Sequence, residues 1–575
     1  MKKLFLMIAA CLGTLFATAQ TIAPSLTEEM AKRGDDEKIK ISIMMQEQAD
    51  ATALLRTTNA FATNKERREY VVATLKRQAE AAQADLLSLL EEMQRNGMVA
   101  DIRPLWIANA IGCEANKTAI EALGQRNDIQ TVFFAENDWF PTNEQSHTLT
   151  SAERGITDNL LKVNADKVWE LGYTGQGVLI GHLDTGANYN HNDLQGRMWD
   201  GGTEFPHHGY DVYDHDDDPM DYLGHGTHVA GTICGTGAAG TQTGVAPGAT
   251  LMEVKVFADI DEAGNTTAIV EGMQFALEHG VQVINMSLGK AGSAEQTPEK
   301  SIIRQSCDNY LAAGVVVVAT AGNDGAWEQL LPIPNNLSCP GSCPSPWPHP
   351  DQAGNAGGQS AVICVGAVDI NDAHLVYSSN GPTHWDDVSE YGDYPYAAGS
   401  STQYGLIKPD VCAPGANVTS LDYNNPSGYT ANVGTSFAAP CVTGTIALML
   451  SKDPDLTPAQ IDEILQTTCV KLTEHKDNKL GSGRIDALAA VMAVGEDAVN
   501  ESIGSTANVY PNPSTGSFSV VCEGMTEASV YSMDGKLMKR IVAEGQCNIE
   551  GLSEGVYLLK INTVNGTLVQ KIVKM

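Results

Sequence analysis

The sequence is short of positive charge: 36 Lys and Arg stand against 70 Asp and Glu in 575 residues, a formal net charge of −34. That shortage excludes nucleic acid and an anionic membrane surface as partners, because binding to phosphate is driven by cationic surface. Long apolar runs are also missing after the first sixteen residues. No later stretch has the 18 or so apolar residues of a membrane span, which excludes an integral helical membrane protein. Charged residues make up only 18% against 43% hydrophobic, the reverse of a disordered chain, so the protein is folded. The cysteines lack the spacing of a metal site. Cys339-Pro-Gly-Ser-Cys343 has no second ligand pair, leaving a local disulfide or two unrelated thiols.

What is present begins with a leader. Lys2 and Lys3 precede the apolar run Leu4 to Phe16, and Ala17-Thr18-Ala19 is the small-x-small pattern of a cleavage site. A signal peptide over residues 1–19 and an exported product follow. Cys11 leaves with it, and the remaining eleven cysteines, an odd number in an oxidising route, include at least one free thiol.

The length allows about four domain-sized units. Residues 21 to about 140 read as a small α+β unit. Ile39, Ile41 and Ile43 alternate as a half-buried strand, and Asn64 to Arg95 is free of Pro and Gly and rich in helix formers. A strand around Leu105 to Ala110, a helix at Lys117 to Leu123 and a strand at Gln130 to Ala135 complete a ferredoxin-like order. The polar stretch Asn137 to Arg154 reads as an exposed linker.

From about 155 to 495, short apolar runs alternate with helical segments, the pattern of a doubly wound, mostly parallel sheet in an α/β domain. Buried strands are expected at Gly177 to Asp184, Val281 to Ser287 and Gly314 to Ala319, with a helix at Ala268 to His279. In such sheets chemistry collects beyond the carboxyl ends of the strands. Those ends carry Asp184-Thr-Gly, Ser287-Leu288-Gly289 and Ala321-Gly322-Asn323, and two more motifs are Gly224-His225-Gly-Thr-His228 and Gly434-Thr-Ser436-Phe-Ala-Ala-Pro440. Serine attacks only when a histidine takes its proton, and the imidazole needs a carboxylate to fix its tautomer. Ser436 opens a small-residue helix, whose N–H groups favour an oxyanion, and the Asn323 amide is a second donor.

These motifs, in the order Asp, His, Asn, Ser, resemble those of the subtilisin-like serine peptidases. Val283-Ile-Asn-Met-Ser-Leu-Gly289, Tyr377-Ser-Ser-Asn-Gly-Pro382 and Gly481-Ser-Gly-Arg-Ile-Asp486 extend the resemblance over about 340 residues. The resemblance implies that Asp184 orients, His225 is the general base and acid, Ser436 attacks, and Asn323 completes the oxyanion hole. It places Ser287, Leu288, Gly289 and Gly322 against the substrate, and makes protein or peptide the substrate of a secreted endopeptidase, with an inert scaffold serving as a surface adhesin the alternative. His228 reads as structural. Phe437 and Cys441 stand where the family commonly has methionine and histidine. No cofactor is required for the chemistry. Structural calcium is the usual family ion, and Asp193 matches a position that ligates it in some relatives, although the loop Gly235 to Gly244 lacks the expected side-chain amide. The acidic cluster Asp214, Asp216, Asp217, Asp218 and Asp221 fails the EF-hand pattern and reads as a solvated rim.

Residues 20–150 resemble the inhibitory propeptide of the same family, an intramolecular partner cut away between about Asn137 and Gly155. After a linker over 496–507, residues 508–575 read as a small β-sandwich with hairpin signals at Asp534-Gly535 and Asn565-Gly566. Val509-Tyr-Pro-Asn-Pro and Gly555-Val-Tyr-Leu-Leu-Lys560 resemble the C-terminal sorting domain of type IX secretion substrates. Together these imply a monomer exported through periplasm and outer membrane, then released or surface-attached, with a peptidase domain over 151–495. The negative charge lies in that domain: residues 151–507 hold 14 basic and 44 acidic residues.

Overall fold

A computed structural model describes residues 21–141, 145–148, 155–259, 263–290, 297–327, 329–333, 335–344, 361–383 and 406–495, then 508–510, 514–522, 524–532, 537–553, 555–563 and 566–574. The leader, the linker 496–507 and most of the two C-terminal hairpin signals lie outside these residues. The chain divides into two compact units, up to Val494 and from Gly495 onward.

The first unit opens with β1 (Ile39–Met45), α1 (Asn64–Arg95), β2 (Val99–Leu105), β3 (Ala110–Ala115), α2 (Lys117–Leu123) and β4 (Ile129–Phe134). The antiparallel sheet order is β2-β3-β1-β4, a ferredoxin-like arrangement. Thr63 and Glu66 form a reciprocal capping box that starts α1. Leu86, Leu90 and Met93 of α1 and Ile120 and Leu123 of α2 bury against Ile39, Ile41 and Ile43. The strand expected at Leu105 to Ala110 is instead the connection of a β2–β3 hairpin, with a short 3-10 turn at Trp106–Ala108. Its apolar residues serve docking: Ile107 O accepts from Asn309 Nδ2 at 2.7 Å, and Trp106 N donates to Gln274 Oε1 at 2.9 Å.

The region expected as an exposed linker also departs from expectation in its described residues. Trp139 is fully buried, and its Nε1 donates to Thr266 Oγ1 at 3.0 Å. Phe140–Pro141 and Gln145–Thr148 form strands β5 and β6.

The large sheet comprises β7 (Leu179–Asp184), β8 (Gly209–Asp211), β9 (Thr250–Lys255), β10 (Val283–Met286), β12 (Val316–Thr320), β13 (Val362–Val368) and β14 (Val411–Pro414). The two-residue strand β11 (Leu288–Gly289) stands outside it. Its order is β14-β13-β12-β10-β7-β9-β8, every neighbouring pair parallel. Helices α3 (His225–Cys234) and α6 (Thr435–Lys452) bury almost every residue in one cluster with Ile180, Val283 and Val318. Helices α4 (Thr266–Glu278) and α5 (Pro298–Ala312) pack in a second cluster with Leu183, Ile284 and Val317, whose side chains take the alternate strand positions. A separate three-stranded sheet joins β15 (Val418–Leu421), β16 (Tyr429–Val433) and β6.

The second unit packs a three-stranded sheet (Asn508–Tyr510, Phe518–Val521, Gln546–Ile549) on a four-stranded one (Leu537–Val542, Met525–Ser532, Gly555–Thr563, Gly566–Lys574). Phe518, Val520, Met525, Leu559 and Ile561 fill the space between them.

Candidate active site

The site forms beyond the carboxyl ends of the central strands, where a parallel sheet leaves a crevice. Asp184 is the last residue of β7, His225 the first of α3 and Ser436 the second of α6. His225 Nδ1 donates to Asp184 Oδ1 at 2.6 Å, and Thr185 N donates to the same oxygen at 2.8 Å. With Nδ1 carrying the proton, Nε2 is left as the basic nitrogen. It has no hydrogen-bond partner among the described residues, though it is buried. The Ser436 hydroxyl donates to Ser287 O at 3.1 Å, and the Ser287 hydroxyl in turn donates to Ser436 O at 2.8 Å. Phe437, next to Ser436, packs on the histidines: its ring centroid lies 5.4 Å from that of His225 and 4.5 Å from that of His228.

Close approach of α3 to β7 requires glycine. A Cβ at Gly226 would lie 2.0 Å from Gly186 O. Burial by itself would raise the Asp184 carboxyl, but His225 and His182 outweigh it and hold the group below the ordinary carboxylate range. His228 is structural, as expected: its Nε2 donates to Val418 O at 3.0 Å.

Asn323 is anchored for donation. Its Oδ1 accepts from Thr435 N at 3.0 Å and from Thr435 Oγ1 at 2.8 Å, which turns the Nδ2 end away from Thr435. Gly322 takes φ +104°, and a Cβ there would meet Ser338 Oγ at 2.4 Å. A Cβ on Gly289 would meet Ser338 Cβ at 2.7 Å. Ser338 therefore sits between the two expected walls, a residue that sequence reasoning did not single out. Leu288 and Gly289 are themselves paired with Pro141 and Phe140 in an antiparallel register. Strand β16, which leads into Ser436, pairs with β6 from Gln145 opposite Val433 to Thr148 opposite Thr430.

Asp193 does not fit a calcium ligand. Its Oδ1 accepts from Ala239 N at 2.6 Å, its Oδ2 from Tyr429 OH at 2.9 Å and its main-chain oxygen from Thr236 N at 3.0 Å. Every oxygen is engaged by a protein donor, whereas calcium takes six to eight oxygen ligands. Among the described residues no three His, Cys, Asp or Glu side chains converge as a metal site. Cys339 and Cys343 are separate thiols with sulfurs 3.8 Å apart, and among the described residues no disulfide joins the cysteines from Cys113 onward, all of which are buried.

Asp221 departs from the solvated rim expected of it. It is buried, and its carboxylate accepts from Leu223 N, Gly224 N and Thr227 N at 2.8–2.9 Å and from the Thr227 hydroxyl at 2.6 Å. Gly224 N and Thr227 N are among the N–H groups left without an intrahelical partner at the start of α3, so Asp221 fixes the helix that carries His225.

Residues 175–484 match the model of the Subtilase family. The chain belongs to the subtilase family. Among its relatives, Subtilisin DY of Bacillus licheniformis is 33% identical over 328 residues, covering 57% of this chain and 96% of the relative. Bacillopeptidase F of Bacillus subtilis (strain 168) is 28% identical over 467 residues, and Serine protease AprX of the same organism 30% over 342. These matches cover 76% and 55% of this subtilase, but only 29% and 66% of the relatives' own lengths. Residues 508–575 match the Secretion system C-terminal sorting domain, which marks the chain for export. No helix among the described residues is long and apolar enough to cross a membrane.

Proposed function

We propose that this subtilase is a secreted serine endopeptidase, made as a proenzyme that cuts itself. The observation that carries the reading is the 2.6 Å Asp184–His225 hydrogen bond beside a serine at a helix N-terminus. Asp184 holds the imidazole in the tautomer whose Nε2 can accept a proton. The Ser436 hydroxyl turns from Ser287 O to His225 Nε2, passes its proton there and attacks the scissile carbonyl. The tetrahedral oxyanion is held by Ser436 N–H and Asn323 Nδ2. His225 then returns the proton to the leaving amine, and water repeats the cycle on the acyl-enzyme.

Residues 20–150 act as the intramolecular inhibitor. Strand β5 pairs with β11 as an extended peptide would, and β6 pairs with β16 on the other side of Ser436. The bond cut in maturation therefore lies between Pro141 and Gln145, inside the wider window read from sequence. After the cut, residues 151–495 work as a monomeric peptidase on proteins or peptides, while residues 508–575 are read by the type IX secretion machinery.

A phosphonofluoridate probe tests this. Covalent labelling of the processed protein that disappears in Ser436→Ala is expected, with the variant accumulating as uncut precursor. An unlabelled, processed wild type would point to an inert scaffold instead.

A further inference from the structure

Behind Asp184 lies a second buried histidine. Alternation along β7 puts His182 and Asp184 on one face, and parallel register puts Glu253 of β9 and Asn285 of β10 directly opposite His182. His182 Nδ1 lies 2.7 Å from Glu253 Oε2, and its Nε2 lies 3.6 Å from Asp184 Oδ2, with all three side chains fully buried. Among the described residues neither His182 Nε2 nor Asp184 Oδ2 has another hydrogen-bond partner.

Proton placement follows from that geometry. A 2.7 Å contact between His182 and Glu253 needs one proton between them. A bare Nε2 would then set a lone pair against the Asp184 carboxylate between two fully buried side chains, a costly arrangement. A proton on Nε2 removes the conflict whether the shared proton resides on Glu253 or on His182. Burial disfavours the imidazolium, yet Glu253 and Asp184 outweigh it and raise His182 to about 10. The other groups facing the cluster agree. Asp221, from the turn before α3, adds negative charge near Glu253, and Cys234 of α3 stays a neutral thiol. His225 and His228 lie on α3, the latter uncharged, while β10 contributes the neutral Asn285.

We propose that His182 is a positioning residue for the catalytic carboxylate: clamped by Glu253 at Nδ1, it presents Nε2–H to Asp184 Oδ2, so that Asp184 is held by His225 at one oxygen and by His182 at the other. The proposal rests on the reading of Asp184, His225 and Ser436 as the catalytic set. It makes Glu253, His182, Asp184 and His225 one buried chain behind the nucleophile.

The test compares His182→Asn, whose amide stays near Glu253, with His182→Gln, whose amide reaches the Nε2 position. In the full-length chain processed to its mature form, His182→Asn is expected to lower kcat about tenfold with KM within about twofold. Loss of the Nε2–H donor also leaves the negative charge at Asp184 Oδ2 uncompensated. The acid limb of kcat/KM therefore moves up by about half a pH unit or more. His182→Gln is expected to stay within about threefold of wild type in kcat. Equal behaviour of the two variants, or a change in KM or stability with an unmoved pH profile, overturns the proposal. Should neither variant fold, nitrogen NMR of histidine-labelled wild type decides: His182 Nε2 is expected to stay protonated from about pH 5 to about pH 9, and a bare Nε2 overturns it. A wild type that fails to label at Ser436 would sink the catalytic reading itself, a result distinct from these.

Discussion

Thr435, the residue before Ser436, grips Asn323 with both of its donors: backbone N–H at 3.0 Å and hydroxyl at 2.8 Å, both to Asn323 Oδ1. The Thr435 oxygen also accepts from Thr320, at the end of β12. Asn323 and the turn that carries Ser436 are thus locked in one hydrogen-bonded unit, and rotation of the amide would break two bonds at once. Asn323→Leu removes the donor and should lower kcat about 10²–10³-fold with little change in KM, a range established in a member of the same family. Thr435→Val keeps the backbone bond and loses the hydroxyl, so a loss of about threefold to tenfold is expected. Steady-state kinetics on the two processed variants checks the ordering. Equal losses would mean that Thr435 does more than orient the amide.

Much of this arrangement is legible in the sequence, for a physical reason. Strands β7, β10 and β12 are buried on both faces, so they appear as apolar runs, and the motifs follow their carboxyl ends. Capping residues at Thr63 and Glu66 announce α1. Three features stay hidden because their meaning depends on distant partners. The apolar Leu105 to Ala110 reads as a strand, whereas its side of the hairpin docks on α4 and α5. Asp221 reads as one of a solvated acidic run until α3 folds back over it. His182 and Glu253 are 71 positions apart and meet only through the register of β7 with β9.

Asp221 should be a positioning residue of consequence. Its carboxylate accepts from four donors around the start of α3, so truncation leaves buried N–H donors unsatisfied. Asp221→Ala in the Ser436→Ala background is expected to cost about 3 kcal/mol of stability. In the active enzyme, Asp221→Asn should reduce kcat more than it raises KM, because the start of α3 carries His225. Denaturant unfolding measures the first effect. An unchanged midpoint would show that the carboxylate is dispensable to the helix.

His228 makes stability depend on acid. Burial, then the nearby His225, lowers it to about 3, and with Nε2–H given to Val418 O the ring is neutral. The unfolded chain takes up a proton below the ordinary imidazole value of about 6.5, and the folded chain does not. Stability from this residue is complete above about pH 6.5 and falls as pH drops toward about 3, by about 1.4 kcal/mol per pH unit. His228→Gln retains a donor for Val418 and cannot titrate. In the Ser436→Ala background it should be less stable near neutrality but lose less between about pH 6 and about pH 4. Parallel pH curves for the two proteins would exclude His228 as a source of acid sensitivity.

The net negative charge bears on substrate choice. Residues 151–507 hold 44 acidic residues against 14 basic, a net negative charge for the domain that carries the cleft. The field of such a charge raises the encounter rate of cationic peptides and is screened over a Debye length of about 10 Å at 0.1 M salt. For two peptides differing only in charge away from the scissile bond, kcat/KM should favour the cationic one by about tenfold at low ionic strength. The advantage should shrink toward unity as salt approaches about 1 M, where the screening length is about 3 Å, and it should reside in kcat/KM with kcat unchanged. A preference that persists in high salt would locate the selectivity in a direct contact within the cleft, and equal rates at low salt would show that the acidic surface does not steer substrate.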